Sequence, residues 1–295
     1  MEKDTSFYGL PVKTIENEHL RLDVLAEAGP RIVRLFLSGS DLNLLAEVPD
    51  GFADTVNGRF HFRGGHRLWH APEQFNRTYV PDSAGLTITE GEGRVCLKQP
   101  IESQTGIGKA MVLELDGSRA AVTIHHELTN HGVWTVELAP WGITQLRLGG
   151  TAVFPQQVGP VDADGLLPNR HLVLWPYTNI QDPRLQLGNE HILIKADPVD
   201  AAFKIGSFNR TGWLAYFVED LLFCKRFAAE AGATYPDTGC NAEIYANHQF
   251  IELESLAPLR LLAPSETVRH TEVWELYGGQ VEPRTAAEVV LPFDV

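Results

Sequence analysis

Residues 112–132 read VLELDGSRAAVTIHHELTNHG. Val122, Ile124 and Leu128 fall on every second place, the two-residue period of a strand rather than the 3.6-residue period of a helix. Val112-Leu113-Glu114-Leu115 precedes them, and Asp116-Gly117 between the two runs is a turn signal, so the stretch predicts an antiparallel hairpin. Asn130-His131-Gly132 marks a second turn. His125 and His126 are adjacent and therefore point to opposite sides. His126 shares parity with the apolar set, which makes it a packed core histidine.

The same rhythm extends outward in both directions. Leu20, Leu22, Val24 and Ala26 alternate, Gly29-Pro30 turns the chain, and Ile32–Leu37 forms the return strand. Further strands are expected at Leu172–Trp175, Ile192–Ala196, Trp213–Val218, Glu243–Tyr245, Phe250–Leu256 and His270–Leu276. The best helical candidate is Asp220–Ala231, but Leu221, Phe223, Lys225 and Phe227 also alternate against their neighbours, and a strand is the preferred reading. The fold class is therefore all-β, mainly antiparallel. No repeat or polar linker divides the chain, so residues 1–295 are read as one domain, with residues 278–295 as a peripheral tail.

Composition excludes several roles. Over 295 residues, 24 Lys+Arg against 38 Asp+Glu give a net charge of −14, so neither nucleic acid nor an anionic membrane is an expected partner. No apolar run reaches membrane-spanning length, and the acidic, polar start does not resemble an export signal. Three cysteines, Cys96, Cys224 and Cys240, lack metal spacing and fit free thiols in a reducing cytoplasm. No phosphate loop, nucleophile elbow or zinc motif is present, and neither a metal nor a cofactor is expected.

Two clusters can carry chemistry. In residues 61–73, HFRGGHRLWHAPE, Gly64-Gly65 permits close backbone approach while Arg63, Arg67, His66, His70 and Trp69 surround it. Arginine forks, imidazoles and an indole face suit a neutral polyhydroxylated ligand. The alternative is a loop whose arginines pair with acids and whose Trp69 fills the core. The second cluster is residues 248–258, where Glu252 and Glu254 share one face of a strand and Ile251 and Leu253 the other. On a cleft floor, burial and mutual repulsion would raise the pKa of one carboxylate toward that of a general base. On a solvated face they would do nothing special. Asp237, in Tyr235-Pro236-Asp237, is a turn residue that could also contact a ligand.

Gly29-Pro30-Arg31-Ile32, Asn43-Leu44-Leu45, Arg63-Gly64-Gly65, Leu128-Thr129-Asn130-His131 and the run Phe250–Glu254 ending in Pro258 resemble, in order, elements of the galactose mutarotase-like (aldose 1-epimerase-like) superfamily. The resemblance implies a β-supersandwich with a carbohydrate cleft and an uncharacterised branch of that group. It further implies Glu254 as a base that removes the anomeric hydroxyl proton, with His66 or His70 as the acid. Arg63, Arg67, Trp69, Trp141, Asp237 and Glu252 would hold the sugar. In the preferred register Trp141 stands where the superfamily's histidine would, and an indole stacks on sugars but donates no proton to a ring oxygen. Three readings follow: an isomerase acting through Glu254 and a histidine, a non-catalytic sugar-binding protein on the same cleft, or a lyase or hydrolase acting on a sugar derivative. The partner in each is a small-molecule carbohydrate.

Overall fold

The computed structural model describes residues 6–83, 85–91, 93–156 and 161–292. Its strands form two large sheets and a small one, and every strand pairing is antiparallel. The first sheet runs Ser6–Phe7, Leu10–Glu16, Leu20–Leu25, Arg31–Leu37, His66–Ala71, Val136–Leu146, Ile251–Leu256, Ala242–Ala246, Phe203–Ser207 and Val173–Leu174, with Arg260–Leu262 paired to one end of Val136–Leu146. The second runs Leu185–Leu187, His191–Lys195, Thr151–Pro155, Trp213–Val218, Leu221–Phe227, Thr267–Tyr277, Ala121–Asn130, Ile107–Leu115, Arg94–Lys98 and Thr87–Gly91. Glu47–Thr55 pairs with Gly58–Gly64 as a two-stranded ribbon. The expected hairpin is present, with Leu113 opposite Ile124, and Leu221–Phe227 is a strand rather than a helix.

The two large sheets share one apolar core, built from residues such as Leu22, Ile32 and Leu68 of the first and Met111, Ile124 and Trp274 of the second. Period-two alternation supplies those residues, and burying them drives the layers together. The segment after Tyr277 is more than a peripheral tail. Leu291 is fully buried against Trp213, Phe217 and Leu222, so residues 278–292 cover the outer face of the second sheet.

A polar network crosses the core. Lys225 donates to Glu272 Oε1 at 2.9 Å and to the carbonyls of Gly142 (2.8 Å) and Leu253 (3.0 Å). Ser255 Oγ (2.6 Å) and Trp274 Nε1 (2.8 Å) donate to the two Glu272 oxygens. His126 Nδ1 donates to the His270 carbonyl at 3.1 Å, which leaves its Nε2 as acceptor for His66 Nε2–H at 2.7 Å; Thr144 Oγ1 then donates to His66 Nδ1 at 2.9 Å. His270 Nε2 donates to Ser255 Oγ at 2.6 Å. Every member is partnered, as a buried network must be. Burial depresses all three imidazoles, His66 well below its ordinary value and His270 to about 3, so they are neutral.

Two outcomes follow. Because the folded histidines resist protons that the unfolded chain accepts near pH 6.5, unfolding takes up protons in acid, so stability is full above about pH 6.5 and falls below it. The expected loss is on the order of 1.4 kcal/mol per pH unit per histidine, measured by denaturant unfolding between pH 7.5 and 5.5; a flat profile would refute the protonation states. Gly142 is hemmed in as well, since a Cβ there would stand 2.2 Å from Glu272 Oε1. Gly142→Ala should cost about 1–3 kcal/mol in the same assay.

Candidate functional site

A cleft of about 450 Å³ opens on the face of the first sheet that points away from the second. Its floor comes from three neighbouring strands. Trp141 lies opposite Trp69 on one side and Leu256 on the other, so the odd residues of His66–Ala71, the odd residues of the middle of Val136–Leu146 and the even residues of Ile251–Leu256 all face the cleft. Arg67, Trp69, Trp141, Ile143 and Glu252 line it from these strands. Lys204 and Tyr245 enter from the next two, Trp175 and Tyr177 from the connection after Val173–Leu174, and Tyr79 and Glu73 from the turn after Ala71.

Strand phase corrects the expectation of a glutamate and a histidine meeting across a pocket. Residues 61–71 are not a loop but the end of the strand Gly58–Gly64 and the whole of the strand His66–Ala71. Its even members His66 and His70 point into the core, His66 into the network above and His70 toward Glu102, 3.9 Å away. Neither lines the cleft, and no histidine is among the described residues that do. Arg63 is also elsewhere. It takes a left-handed backbone (φ 55°) and donates to Asp82 Oδ1 at 2.6 Å and Ser83 Oγ at 2.7 Å. Gly64 and Gly65 continue that left-handed path, and a Cβ on either would lie 2.0 Å from a backbone oxygen. Asp237 occupies a left-handed turn (φ 49°) and is not on the cleft wall.

Glu254 faces the cleft side but lies beneath its floor. Its Oε2 accepts from Trp141 Nε1 at 2.8 Å and from Lys204 Nζ at 2.9 Å, and the residue is fully buried. Lys204 Nζ also stands 2.7 Å from Glu243 Oε2 and packs over the Trp141 and Trp175 rings at 4.9 and 4.7 Å. Burial opposes the lysine's charge, but the two carboxylates hold it well above its ordinary pKa. Burial drives Glu243 well above the usual carboxylate range, while Lys204, between it and Glu254, pulls the other way. Glu254 is thus paired with a lysine of its own chain and is not among the described residues that line the cleft.

Glu252 is the carboxylate that the floor strands bring to the cleft, with Glu73 at its rim. Arg67 Nη2 (3.0 Å) and Gln145 Nε2 (2.8 Å) both donate to its Oε1, and burial raises its pKa against the pull of Arg67. The Arg67 guanidinium stacks 4.2 Å over Trp69, whose ring is 5.5 Å from that of Trp141. Tyr79 donates to Glu73 at 2.5 Å at the rim. Paired charges and flat apolar rings give a wall that offers directional hydrogen bonds without a strong net field. In the core, His66, His126 and Glu272 bring ligand atoms within 4.8 Å of one another, but the two ring nitrogens share a proton and Lys225 supplies the positive charge there.

Lys204, Glu243, Trp175 and Tyr177 were outside the sequence-derived site. Lys204 had no distinctive signal, because a lysine between Phe203 and Ile205 also reads as the polar face of a half-buried strand. Trp175 and Tyr177 had none, because their place depends on the path of a long connection.

The chain has the galactose mutarotase-like fold, an antiparallel β-sandwich. It aligns over 90% of its length with all of a galactose mutarotase-like protein from Lactobacillus casei, at 13% identity and a TM-score of 0.60. It aligns over 92% with 99% of a galactose mutarotase related enzyme from Lactobacillus acidophilus, at 8% identity and a TM-score of 0.56. A TPR-domain containing protein from Parabacteroides distasonis matches 96% of this chain with 49% of its own, at 12% identity and a TM-score of 0.62. No family model and no curated protein matches the sequence.

The Lys204 triad makes a stability prediction. Lys204→Met leaves a buried carboxylate uncompensated and should cost about 3–5 kcal/mol, while adding Glu254→Gln should restore a large part of it. Additive losses in denaturant unfolding would show that the two are not coupled.

Proposed function

We propose that this protein binds a small carbohydrate in the aromatic cleft, and that it does so without the glutamate and histidine pair of an anomer-interconverting enzyme. One observation carries the reading: Trp69, Trp141 and Trp175 converge with the Arg67–Glu252 pair on one cavity whose described wall holds no histidine. Indole faces suit the C–H surface of a pyranose, and the arginine and glutamate offer donors and acceptors to its hydroxyls. The fold shared with mutarotase-like proteins supports the same ligand class.

A second reading is favoured by the position of Glu252. It faces the cavity, and burial raises its pKa toward the range of a working general base. Ring opening would then begin with Glu252 taking the anomeric proton, and the proton for the ring oxygen would come from solvent in the open cleft.

Calorimetric titration with a panel of neutral aldoses tests binding. Trp141→Ala and Trp69→Ala should each weaken affinity about tenfold or more; failure of every aldose to bind the parent protein refutes the proposal. NMR exchange between anomers separates the readings. Exchange abolished by Glu252→Gln with binding retained establishes the enzyme, and no exchange in the parent leaves a binding protein.

A further inference from the structure

Arg67 also lines a small chamber of about 10 Å³ to which Glu252 does not contribute. Arg31, Arg67 and Lys109 line it with Gln99 and Asp82, and apolar groups such as Phe60 close it. Arg67 is the only residue with a guanidinium common to this chamber and the cleft among the described residues that line the two.

The ion pairs around the chamber do not balance. Lys109 pairs with Glu102 at 2.6 Å and Arg67 with Glu252 at 3.0 Å, one to one. Asp82 alone serves two arginines, Arg31 at 2.8 Å and Arg63 at 2.6 Å. Four cations thus face three carboxylates, all eight-ninths or more buried. Nearby His70 is kept neutral by burial and the Lys109 charge. Burial, with the cations of Arg63 and Arg67, lowers Arg31 to about 10 against the pull of Asp82, so it stays charged at neutral pH.

The hydrogen-bond inventory is lopsided in the same sense. Arg31 Nε, Arg67 Nε and Arg67 Nη1 are buried donors without an acceptor, and both oxygens of Asp82 are already taken by arginines. A water placed there would accept two of these bonds but bring two protons of its own. An anion only accepts, and it cancels the surplus charge.

We propose that the chamber is a binding site for a single chloride ion, held by Arg31, Arg67 and Lys109, which fixes Arg67 from the chamber while Glu252 fixes it from the cleft. The inference goes beyond the carbohydrate reading and does not rest on it. In bromide-exchanged crystals of the full chain, an anomalous peak should appear in the chamber within hydrogen-bond distance of Arg67. In solution, replacing gluconate by chloride at constant ionic strength should raise the melting temperature by about 3 °C at roughly ten times the dissociation constant. Arg63→Gln, which balances the charges without touching the chamber wall, should flatten that response. A water-like feature with no anomalous signal overturns the site, as does a chloride response that Arg63→Gln leaves unchanged. The crystal needs no variant and decides alone if Arg63→Gln does not fold.

Discussion

The strand period of two along His66–Ala71 is the constraint on which the rest of the molecule depends. With Arg31–Leu37 and Val136–Leu146 hydrogen-bonded on its two sides, the strand cannot slip by one residue without exchanging its faces. The phase is set just upstream, where three successive left-handed residues, Arg63, Gly64 and Gly65, bring the chain out of the small ribbon and into the sheet. Once that phase is fixed, Arg67 and Trp69 belong to the cleft and His66 and His70 to the interior. A six-residue segment thereby separates cleft-lining groups from framework groups.

The strands around the cleft carry buried ions on both faces. On the core side Lys225 compensates Glu272, and on the cleft side Lys204 compensates Glu254 with Glu243 beside it. Each lysine is almost entirely excluded from solvent, so each must be matched by a carboxylate and by directed acceptors, or the sheet would not tolerate it. Such pairs add little net stability compared with apolar side chains of the same size, but they fix orientation. The indole of Trp141 is held by Glu254, and the ring of Trp274 by Glu272. The Trp141 face of the cleft is thus set in place by electrostatics below it.

Much of this was legible from residue patterns, and the reasons for the remainder are physical. Alternation in Val112–Leu128 and in Leu221–Phe227 gave the right element type, because a half-buried strand writes its faces directly into its residues. The same rule puts Glu252 and Glu254 on one face and His126 in the core. Residues 61–73 misled because glycines, histidines and arginines are equally at home in a binding loop and in a strand that buries a polar network. Parity applied to 66–71 separates Trp69 from His70, but it does not say which set faces the cleft. Glu254 shows a different limit. Its neutralising partner, Lys204, is 50 residues away, and such a distant ion pair leaves no trace in local sequence.

The order of strands in the second sheet has a consequence for how the chain comes into being. Thr267–Tyr277 lies between Leu221–Phe227 and Ala121–Asn130, joining five strands on one flank to four on the other. As the nascent polypeptide emerges from the ribosome, those two ribbons exist before the strand that bridges them has been translated. Each has an unpaired backbone edge until residue 277 arrives, and in that interval the edge is open to aberrant pairing with its neighbours.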